Sequence, residues 1–441
     1  MSHGQRWIGF RNLSIAVLWF FACGTFTAAQ NDIVLHRFHL SDGAYPVGAL
    51  VADVQQNLYG VTNVGGNGDC TTYPLLRSGC GTVFELTRSA GGEWSETVLY
   101  QFQGGSDGAF PAAGLLFDQA GNLYGTTSGG GLSQACCGTV YELTHPAQPG
   151  APWSETILYR FTAYTDGAEP RGRLIFDQAG NLYGTAYAGG QSFDCCGTVF
   201  ELTPPVNGGN WTETTLHIFR ISSGDDGEGP TGGVTFDESG ALYGTTLYGG
   251  DHGLGTVFRL RPPRAPGDPW TETFYSFQGG PADGYSPNGD LIWVRGSLVG
   301  TSAGGGTYYD GTVFQISPRM RESVLYSFQT SNVQGVVNSG LTVDSKLNLY
   351  GTLSVGGGGN CDSGLGCGTV FQLAPPSAPG GAWTENLLYA FQGGSDGFFP
   401  YNAPLLLSGD WLLGLTVEGG GSEACNPGGL NGCGTAFAVR K

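Results

Sequence analysis

The chain of 441 residues contains one sequence block seven times. Each copy includes a Gly-Thr pair that opens an apolar segment, as in GTVYEL at 138–143 and GTVFEL at 197–202. The glycine of this pair recurs at Gly81, Gly138, Gly197, Gly255, Gly311, Gly368 and Gly434. A long and nearly constant period indicates one supersecondary unit, which cannot bury its apolar face alone and therefore stacks on its neighbours.

Each unit has the pattern of four short β-strands. In one copy the apolar segments lie at 114–118, 122–127, 138–144 and 153–161, and they are separated by turns or loops rich in Gly, Pro and Asn. Their length, their alternation and their β-branched and aromatic residues favour strands, and no segment has a helical period. Four strands per unit are typical of a propeller blade.

The two ends of the repeat array predict a closed ring. The first strand of the array, 33–38, is of the fourth type, and the last, 434–439, is of the third type. An open stack would leave both as unpaired edges, whereas in a ring the first strand completes the last blade. The sequence therefore predicts an all-β, closed seven-bladed β-propeller with four antiparallel strands per blade.

The N-terminal segment predicts export. Arg6 and Arg11 precede the apolar run 13–24, and the small residues 27–29 follow it. This is the three-part pattern of a secretory signal peptide, so we expect a signal over 1–29 and a single propeller domain over 30–441. A lipoprotein signal with Cys23 as the lipidated residue is the alternative. No other run is long enough for a membrane span, and we expect a secreted or cell-surface protein, with the periplasm as a further option.

The remaining ten cysteines suggest disulfides. They all lie between the second and third strands of a unit, in the groups Cys70/Cys80, Cys136/Cys137, Cys195/Cys196, Cys361/Cys367 and Cys425/Cys433. Five local disulfides are the simplest arrangement in an oxidising compartment. Two of them would join adjacent residues, which is geometrically tight, so pairing between neighbouring loops stays open. The spacings do not match a structural zinc site.

The charge balance excludes some partners. The chain has 18 Lys and Arg against 36 Asp and Glu, a formal net charge of −18. Binding to nucleic acid or to an anionic membrane surface requires clustered basic residues, so neither partner is expected.

The combined motif resembles a known family. The elements are GNLYGT at 121–126, GTVYEL at 138–143, and a Trp-x-Glu-Thr element followed by Leu-Tyr-x-Phe, as at 153–161. Together they resemble the Gloeo/Verruco ("GloVer") repeat family of exported bacterial proteins, over nearly the whole chain after the signal. The resemblance implies a tandem-repeat β-propeller at or outside the cell surface, often with one of several C-terminal anchors, and we expect no such anchor here. It implies no reaction.

The loops between consecutive units supply the candidate ligand residues. They carry an Asp-Gly element at Asp42, Asp107, Asp166, Asp226, Asp283 and Asp396, and Asn332 stands near the remaining position. In a propeller these loops emerge on the same face as the cysteine loops. A ring of carboxylates there could hold Ca²⁺ or a cationic or hydroxyl-rich ligand. The alternative is turn chemistry, in which each Asp bonds its own backbone.

The sequence assigns no catalytic residue. The string GTSAG at 300–304 matches a nucleophile elbow around Ser302, but it occupies a repeat position and lacks the following helix. His36 and His217 take the place of a fourth-strand tyrosine and are interpreted as packing residues. We expect no cofactor, with Ca²⁺ as the alternative, and a monomer. The favoured function is a binding or adhesion scaffold for a polysaccharide or a protein; the alternatives are a lyase-like or lactonase-like enzyme at the channel mouth and a purely structural surface protein.

Overall fold

The computed structural model describes the repeat array as one compact unit. The described residues are 32–70, 79–133, 136–148, 150–192, 195–206, 208–220, 226–265, 267–329, 337, 339–359, 361, 364–378, 380–400, 403–422, 425 and 432–441. The expected signal segment 1–29 and Asn332 lie outside them.

The described residues form thirty-two short strands and one 3₁₀ turn (Gly105–Asp107). The chain begins with β1 (Asp32–Arg37) and continues into blade 1. The strands of blade 1 are β2 (Ala44–Ala52), β3 (Leu58–Val64), β4 (Thr82–Arg88) and β5 (Trp94–Gln101). Those of blade 2 are β6 (Ala109–Pro111), β7 (Leu116–Phe117), β8 (Leu123–Ser133), β9 (Cys136–Thr144) and β10 (Ser154–Arg160).

Blades 3 to 5 follow the same plan. The strands of blade 3 are β11 (Ala168–Pro170), β12 (Ile175–Phe176), β13 (Leu182–Ala188), β14 (Thr198–Thr203) and β15 (Thr212–Ile218). Those of blade 4 are β16 (Gly227–Glu228), β17 (Thr235–Phe236), β18 (Leu242–Thr246), β19 (Tyr248–Gly249), β20 (Thr256–Arg261) and β21 (Thr271–Ser276). Those of blade 5 are β22 (Gly284–Val294), β23 (Ser297–Gly305), β24 (Thr312–Ile316) and β25 (Glu322–Ser327).

The last two blades complete the ring. The strands of blade 6 are β26 (Thr342–Val343), β27 (Leu349–Leu353), β28 (Thr369–Ala374) and β29 (Thr384–Ala390). Those of blade 7 are β30 (Leu406–Ser408), β31 (Trp411–Thr416) and β32 (Thr435–Arg440), with β1 as its outer strand. β1 pairs antiparallel with β32, from Asp32 opposite Val439 to Arg37 opposite Thr435. The predicted closed, seven-bladed, four-stranded propeller is therefore confirmed.

A ring of aromatic pairs joins the seven blades. At every interface the Phe that follows an outer strand packs edge to face on an aromatic residue in the third strand of the next blade, with centroids 4.9–5.2 Å apart. Phe391–Phe437 joins blade 6 to blade 7, and Phe38–Phe84 joins blade 7 to blade 1. These rings are completely or almost completely buried. Edge-to-face pairs contribute beyond their buried area, so the repeated Leu-Tyr-x-Phe element is what holds neighbouring blades together.

Small residues let the inner strands meet at the axis. A Cβ at Gly48 would overlap the backbone of Gly114 in blade 2, and a Cβ at Gly232 would overlap the backbone of Gly289 in blade 5. The inner strands bulge or break at this level, as between Val47 and Val51. The small residues at these positions thus allow the inner strands to pack closely at the axis.

The antiparallel order places two sets of loops on one face. The connections between blades and the loops between second and third strands share this face, which we call the cysteine face. The structure pairs Cys70 with Cys80, Cys136 with Cys137, Cys195 with Cys196, Cys361 with Cys367 and Cys425 with Cys433, all within these loops. Within the described ranges, no helix has the length and apolar character needed to cross a membrane.

Candidate functional site

The aspartate side chains of the Asp-Gly loops form hydrogen bonds with their own loops and with the preceding outer strand. The Asp166 carboxylate accepts hydrogen bonds from the Tyr159 hydroxyl (3.0 Å) and from the backbone N–H of Thr162 (2.8 Å). Asp283 accepts in the same way from the Tyr275 hydroxyl (2.9 Å) and from the Gln278 backbone (2.8 Å). A carboxylate that binds its own turn and outer strand stabilises the loop.

The other four aspartates have related partners. The donors are Tyr100 and Gln103 for Asp107, Tyr389 and Gln392 for Asp396, the His39 backbone for Asp42, and the Gly227 backbone for Asp226. Each of the six carboxylates is thus already engaged within its own loop. A ring of carboxylates that binds a ligand therefore stays a prediction.

A glutamate from the next blade approaches five of these six loops, those of Asp42, Asp107, Asp166, Asp226 and Asp283. Glu155 in β10 lies close enough to Asp107 for the two charges to interact, and both act on the hydroxyl of Tyr100. In blade 5 the Tyr326 hydroxyl donates directly to Glu385 of β29 at 2.8 Å. These glutamates belong to the Trp-x-Glu-Thr element or its equivalent, three or four residues before the tyrosine or histidine of their own strand.

Burial favours the protonated form of five glutamates, Glu96, Glu155, Glu213, Glu272 and Glu322. It raises the pKa of Glu96, Glu155 and Glu322 to about 8, and the charge of the neighbouring loop aspartate acts in the same direction. The pKa values of Glu213 and Glu272 rise to about 7, again mainly through burial. Two carboxyl groups that lie together in a poorly solvated environment cannot both ionise without a large cost in free energy.

At two of these blade interfaces the outer strand has histidine instead of tyrosine. His217 Nε2 lies 3.3 Å from Asp226 Oδ1 and 3.7 Å from Glu272 Oε2, a group we call the His217 cluster. In the His36 cluster (His36, Asp42 and Glu96), His36 Nε2 lies 3.2 Å from Asp42 Oδ2. In both clusters the three ligand atoms lie within 4.8 Å of one another.

The sequence interpretation of the two histidines was incomplete. Both rings do pack edge to face, His36 on Phe38 and His217 on Phe219, with centroids 4.8 Å apart. The sequence interpretation did not identify Glu272 as a neighbour of His217, because Glu272 follows it by 55 residues and belongs to another blade. The recurring Trp-x-Glu-Thr element was the available signal.

The propeller axis is nearly filled. Arg173 Nε of blade 3 lies 3.4 Å from Asp290 Oδ2 of blade 5, and the Gly233 N–H donates to Asp290 Oδ1 at 2.7 Å. The cavity at this level has a volume of about 30 Å³. That is room for about one or two water molecules, so the described residues are closely packed at this level of the axis.

A polar and aromatic group from blades 3 and 4 includes Arg171, which lines the axial cavity. We call it the blade 3 patch, and it consists of Glu169, Arg171, Tyr187, Glu228 and Tyr248. The Arg171 guanidinium lies 4.1 Å from the centre of the Tyr187 ring and pairs with Glu169 at 2.5 Å. Burial raises the pKa of Tyr187, Arg171 lowers it, and Tyr248, Glu169 and Glu228 raise it, so the five side chains form one electrostatic group.

A larger cleft opens on the opposite face between blades 5 and 6. It has a volume of about 500 Å³, and its lining includes Arg295, Val299, Gln315 and Trp383. At the interface of blades 1 and 2 the equivalent space is occupied by three aromatic residues, Tyr59, Phe117 and Trp153. In blades 5 and 6 valines take the first two positions, Val299 and Val343, and the missing rings leave the cleft.

The nucleophile-like string has a structural role. Ser302 is fully buried, its hydroxyl lies 2.7 Å from that of Thr312, and it donates to the Gly304 carbonyl. Thr62 and Thr82 form the same pair in blade 1 at 2.8 Å. Ser302 therefore occupies a repeated hydrogen-bonding position in the blade.

The ring of seven four-stranded blades defines a tandem-repeat β-propeller. Residues 70–292 and 194–426 match the Gloeobacter/Verrucomicrobia repeat, and the chain belongs to that family. The resemblance noted in the motifs is therefore confirmed.

Comparison with other proteins adds only a general likeness. No curated protein matches the chain. A protein of unknown function from Dyadobacter fermentans is similar at 12% identity and a TM-score of 0.43, over 80% of this chain and 96% of that one. Trypanosoma rangeli sialidase is similar at 11% identity and a TM-score of 0.39, over 80% of this chain and 57% of that one, so this chain spans a little over half of that enzyme. A puromycin hydrolase is similar at 14% identity and a TM-score of 0.49, over 85% of this chain and 50% of that one. Likeness at this level carries no argument about function.

Proposed function

We propose that this protein is an exported binding scaffold that recognises a polysaccharide at the blade 3 patch. The observation that carries the proposal is the stacking of Arg171 on Tyr187, with Glu169 paired to the same guanidinium. The positions equivalent to Arg171 in blades 1, 4 and 5 hold Val47, Thr231 and Asn288. The repeat therefore does not require a charged side chain at this position, and its presence in blade 3 favours a role in recognition.

The chemistry of the patch suits sugar rings. Tyr248 is 46% exposed and offers an aromatic face, while Tyr187 holds the Arg171 guanidinium in place. Arg171 supplies hydrogen-bond donors, while Glu169 and Glu228 supply acceptors, which together can bind hydroxyl groups. Since the axis beneath is nearly filled, a ligand would lie across the surface of the disc, as an extended polysaccharide can.

Export is part of the proposal. The cysteine pairs lie in the exposed loops of one face, and disulfides persist in oxidising compartments. They are consistent with an extracellular protein. Clamped loops on a rigid β-scaffold favour recognition because little loop entropy is lost on binding.

The experiment is affinity electrophoresis of the purified protein in gels that contain cell-wall or plant polysaccharides. We expect retardation by one class of polysaccharide, and its loss in an Arg171→Ala/Tyr187→Ala variant. Arg88→Ala is the matched control. Arg88 is also near an aromatic ring, that of Trp94 at 6.0 Å, but it is the last residue of the third strand β4 and so lies towards the opposite face. Equal retardation of all three proteins would remove the patch as the binding site. Absence of retardation by every polysaccharide would favour a protein ligand instead.

A further inference from the structure

The His217 cluster contains the donor atoms of a metal site. One imidazole nitrogen and two carboxylate oxygens converge from three segments: β15, the following loop and β21 of the next blade. We propose that the His217 cluster binds a divalent transition metal ion, zinc being the best suited, and that the His36 cluster is a second site of the same kind. This inference is independent of the polysaccharide proposal.

The separations fit such an ion. Zinc bound at about 2.0–2.2 Å in tetrahedral geometry holds its ligand atoms roughly 3.4 Å apart. The two distances from His217 Nε2, 3.3 Å to Asp226 and 3.7 Å to Glu272, lie on either side of that value. Metal binding displaces protons from its ligands. Two carboxylates and a neutral imidazole then balance a divalent charge, and the imidazole favours zinc over calcium.

One hydrogen bond and the burial of Asp226 favour a preorganised site. The Gly227 N–H donates to Asp226 Oδ1 at 2.7 Å and fixes the orientation of that carboxylate. The Asp226 side chain is only 9% exposed. Glu272 Oε1 is buried and has no hydrogen-bond partner within the described ranges, and the same holds for Glu96 Oε1 of the His36 cluster and for Glu155 and Glu322 beside tyrosines, so this feature belongs to the repeat.

The sister blades show what distinguishes the two clusters. In blades 1, 2, 4 and 6 the residue at this position is tyrosine, and its hydroxyl donates to the loop aspartate, as Tyr159 donates to Asp166. A neutral tyrosine completes the hydrogen bonding without a metal. Histidine also accepts a hydrogen bond or binds a metal through the same nitrogen, so the exchange of Tyr for His converts a hydrogen-bonded contact into a ligand set.

Solvent reaches the His217 cluster. A cleft of about 490 Å³ is lined by His217, Asp226 and Glu272, together with Arg220 and Trp270. An ion could therefore enter from this side, and a water molecule or a ligand group could take a fourth position. With three protein ligands, the site has the ligand number of an open zinc centre.

The experiment is calorimetric titration of Zn²⁺ into the chelator-stripped protein, prepared without a polyhistidine tag. We expect about two ions per chain for the native protein, with dissociation constants in the micromolar range or tighter. His217→Tyr and His36→Tyr each place the residue of the sister blades at the position, so both variants should fold, and each should lose one site. The double variant should bind none, whereas Tyr159→His should add a site with Asp166 and Glu213.

Controls separate these sites from incidental binding. His252→Tyr alters an exposed loop histidine and should leave the stoichiometry unchanged. Circular dichroism and the melting temperature without metal establish that each variant is folded. The proposal is overturned if the double variant binds Zn²⁺ like the native protein, or if the native protein binds none at millimolar Zn²⁺. Loss of sugar binding in the Arg171 and Tyr187 variant would not affect this result, so the two proposals fail separately.

Discussion

Asp107 and Glu155 belong to consecutive blades, yet both act on the hydroxyl of Tyr100. The same relationship recurs around the disc, with Asp166 and Glu213 at Tyr159 and with Asp283 and Glu322 at Tyr275. Each pair places two acidic groups at an interface between blades. The protonation of the glutamate therefore affects how well the blades pack.

This arrangement predicts that stability falls as the pH rises. The pKa values of Glu155 and Glu322 are raised to about 8 and that of Glu213 to about 7, whereas an unfolded glutamate titrates near about 4.3. Between those values the folded chain binds more protons than the unfolded chain, so the free energy of unfolding decreases with pH. Since the side chains are partly accessible, we expect each glutamate to cost about 1 kcal/mol between about pH 5 and about pH 8.

Melting temperatures measured across this pH interval test the prediction. A Glu155→Gln/Glu213→Gln/Glu322→Gln variant keeps the neutral form at every pH, so its melting temperature should vary less than that of the native protein. The idea fails if the native protein becomes more stable from about pH 5 to about pH 8, or if the variant follows the same curve.

The repeat was sufficient to predict the architecture. The constant period, the four apolar segments and the mismatched ends together imply closure, and β1 does pair with β32. This succeeded because every blade interface depends on local elements, such as the Phe of Leu-Tyr-x-Phe, that recur in the sequence at fixed places. The prediction of the architecture therefore depends on seven copies of the same pattern.

The candidate sites could be predicted only in part. The Asp-Gly loops were evident, but their partner glutamates lie on another blade, and a single repeat does not indicate which residues of two neighbours meet. Arg171 and Glu169 are visible as departures from the repeat, yet the stacking on Tyr187 depends on the course of β13. The cleft beside Trp383 results from rings that are absent, and it becomes evident only when Val299 is compared with Tyr59 in space.

Close packing at the axis predicts a large cost for a single methyl group. Gly48 has φ +72° and its Cβ would overlap the backbone of Gly114, so Gly48→Ala should lose about 3 kcal/mol or more through overpacking and backbone strain together. Gly180 is the control, because it has φ +88° with open space around it, and Gly180→Ala should lose only about 1–2 kcal/mol. Urea denaturation measures both. Equal losses would mean that the inner strands can move apart at the axis.

Ser302 is predicted to matter for folding and not for chemistry. Ser302→Ala leaves the buried Thr312 hydroxyl without its partner and should lower the free energy of unfolding by about 1–2 kcal/mol. Ser302→Thr introduces the residue found at the equivalent positions Thr62 and Thr246, and it should leave the free energy of unfolding nearly unchanged. The measurement is chemical denaturation of the three proteins. Retention of full stability by Ser302→Ala would contradict this role.

The cleft between blades 5 and 6 should become narrower when the missing rings are supplied. In blade 6 the Tyr350 hydroxyl accepts a 2.9 Å hydrogen bond from Gln372, and Gln315 holds the matching place beside Val299. Val299→Tyr/Val343→Phe should therefore fill part of the 500 Å³ and raise the free energy of unfolding by about 1–2 kcal/mol through added apolar burial. The reverse change, Tyr183→Val/Phe236→Val at blades 3 and 4, should open an equivalent cleft and lose about 3 kcal/mol. Denaturation of both variants, with a crystal structure of the filled one, decides the matter: if filling destabilises the protein, the cleft is maintained by its surroundings and not by the two valines.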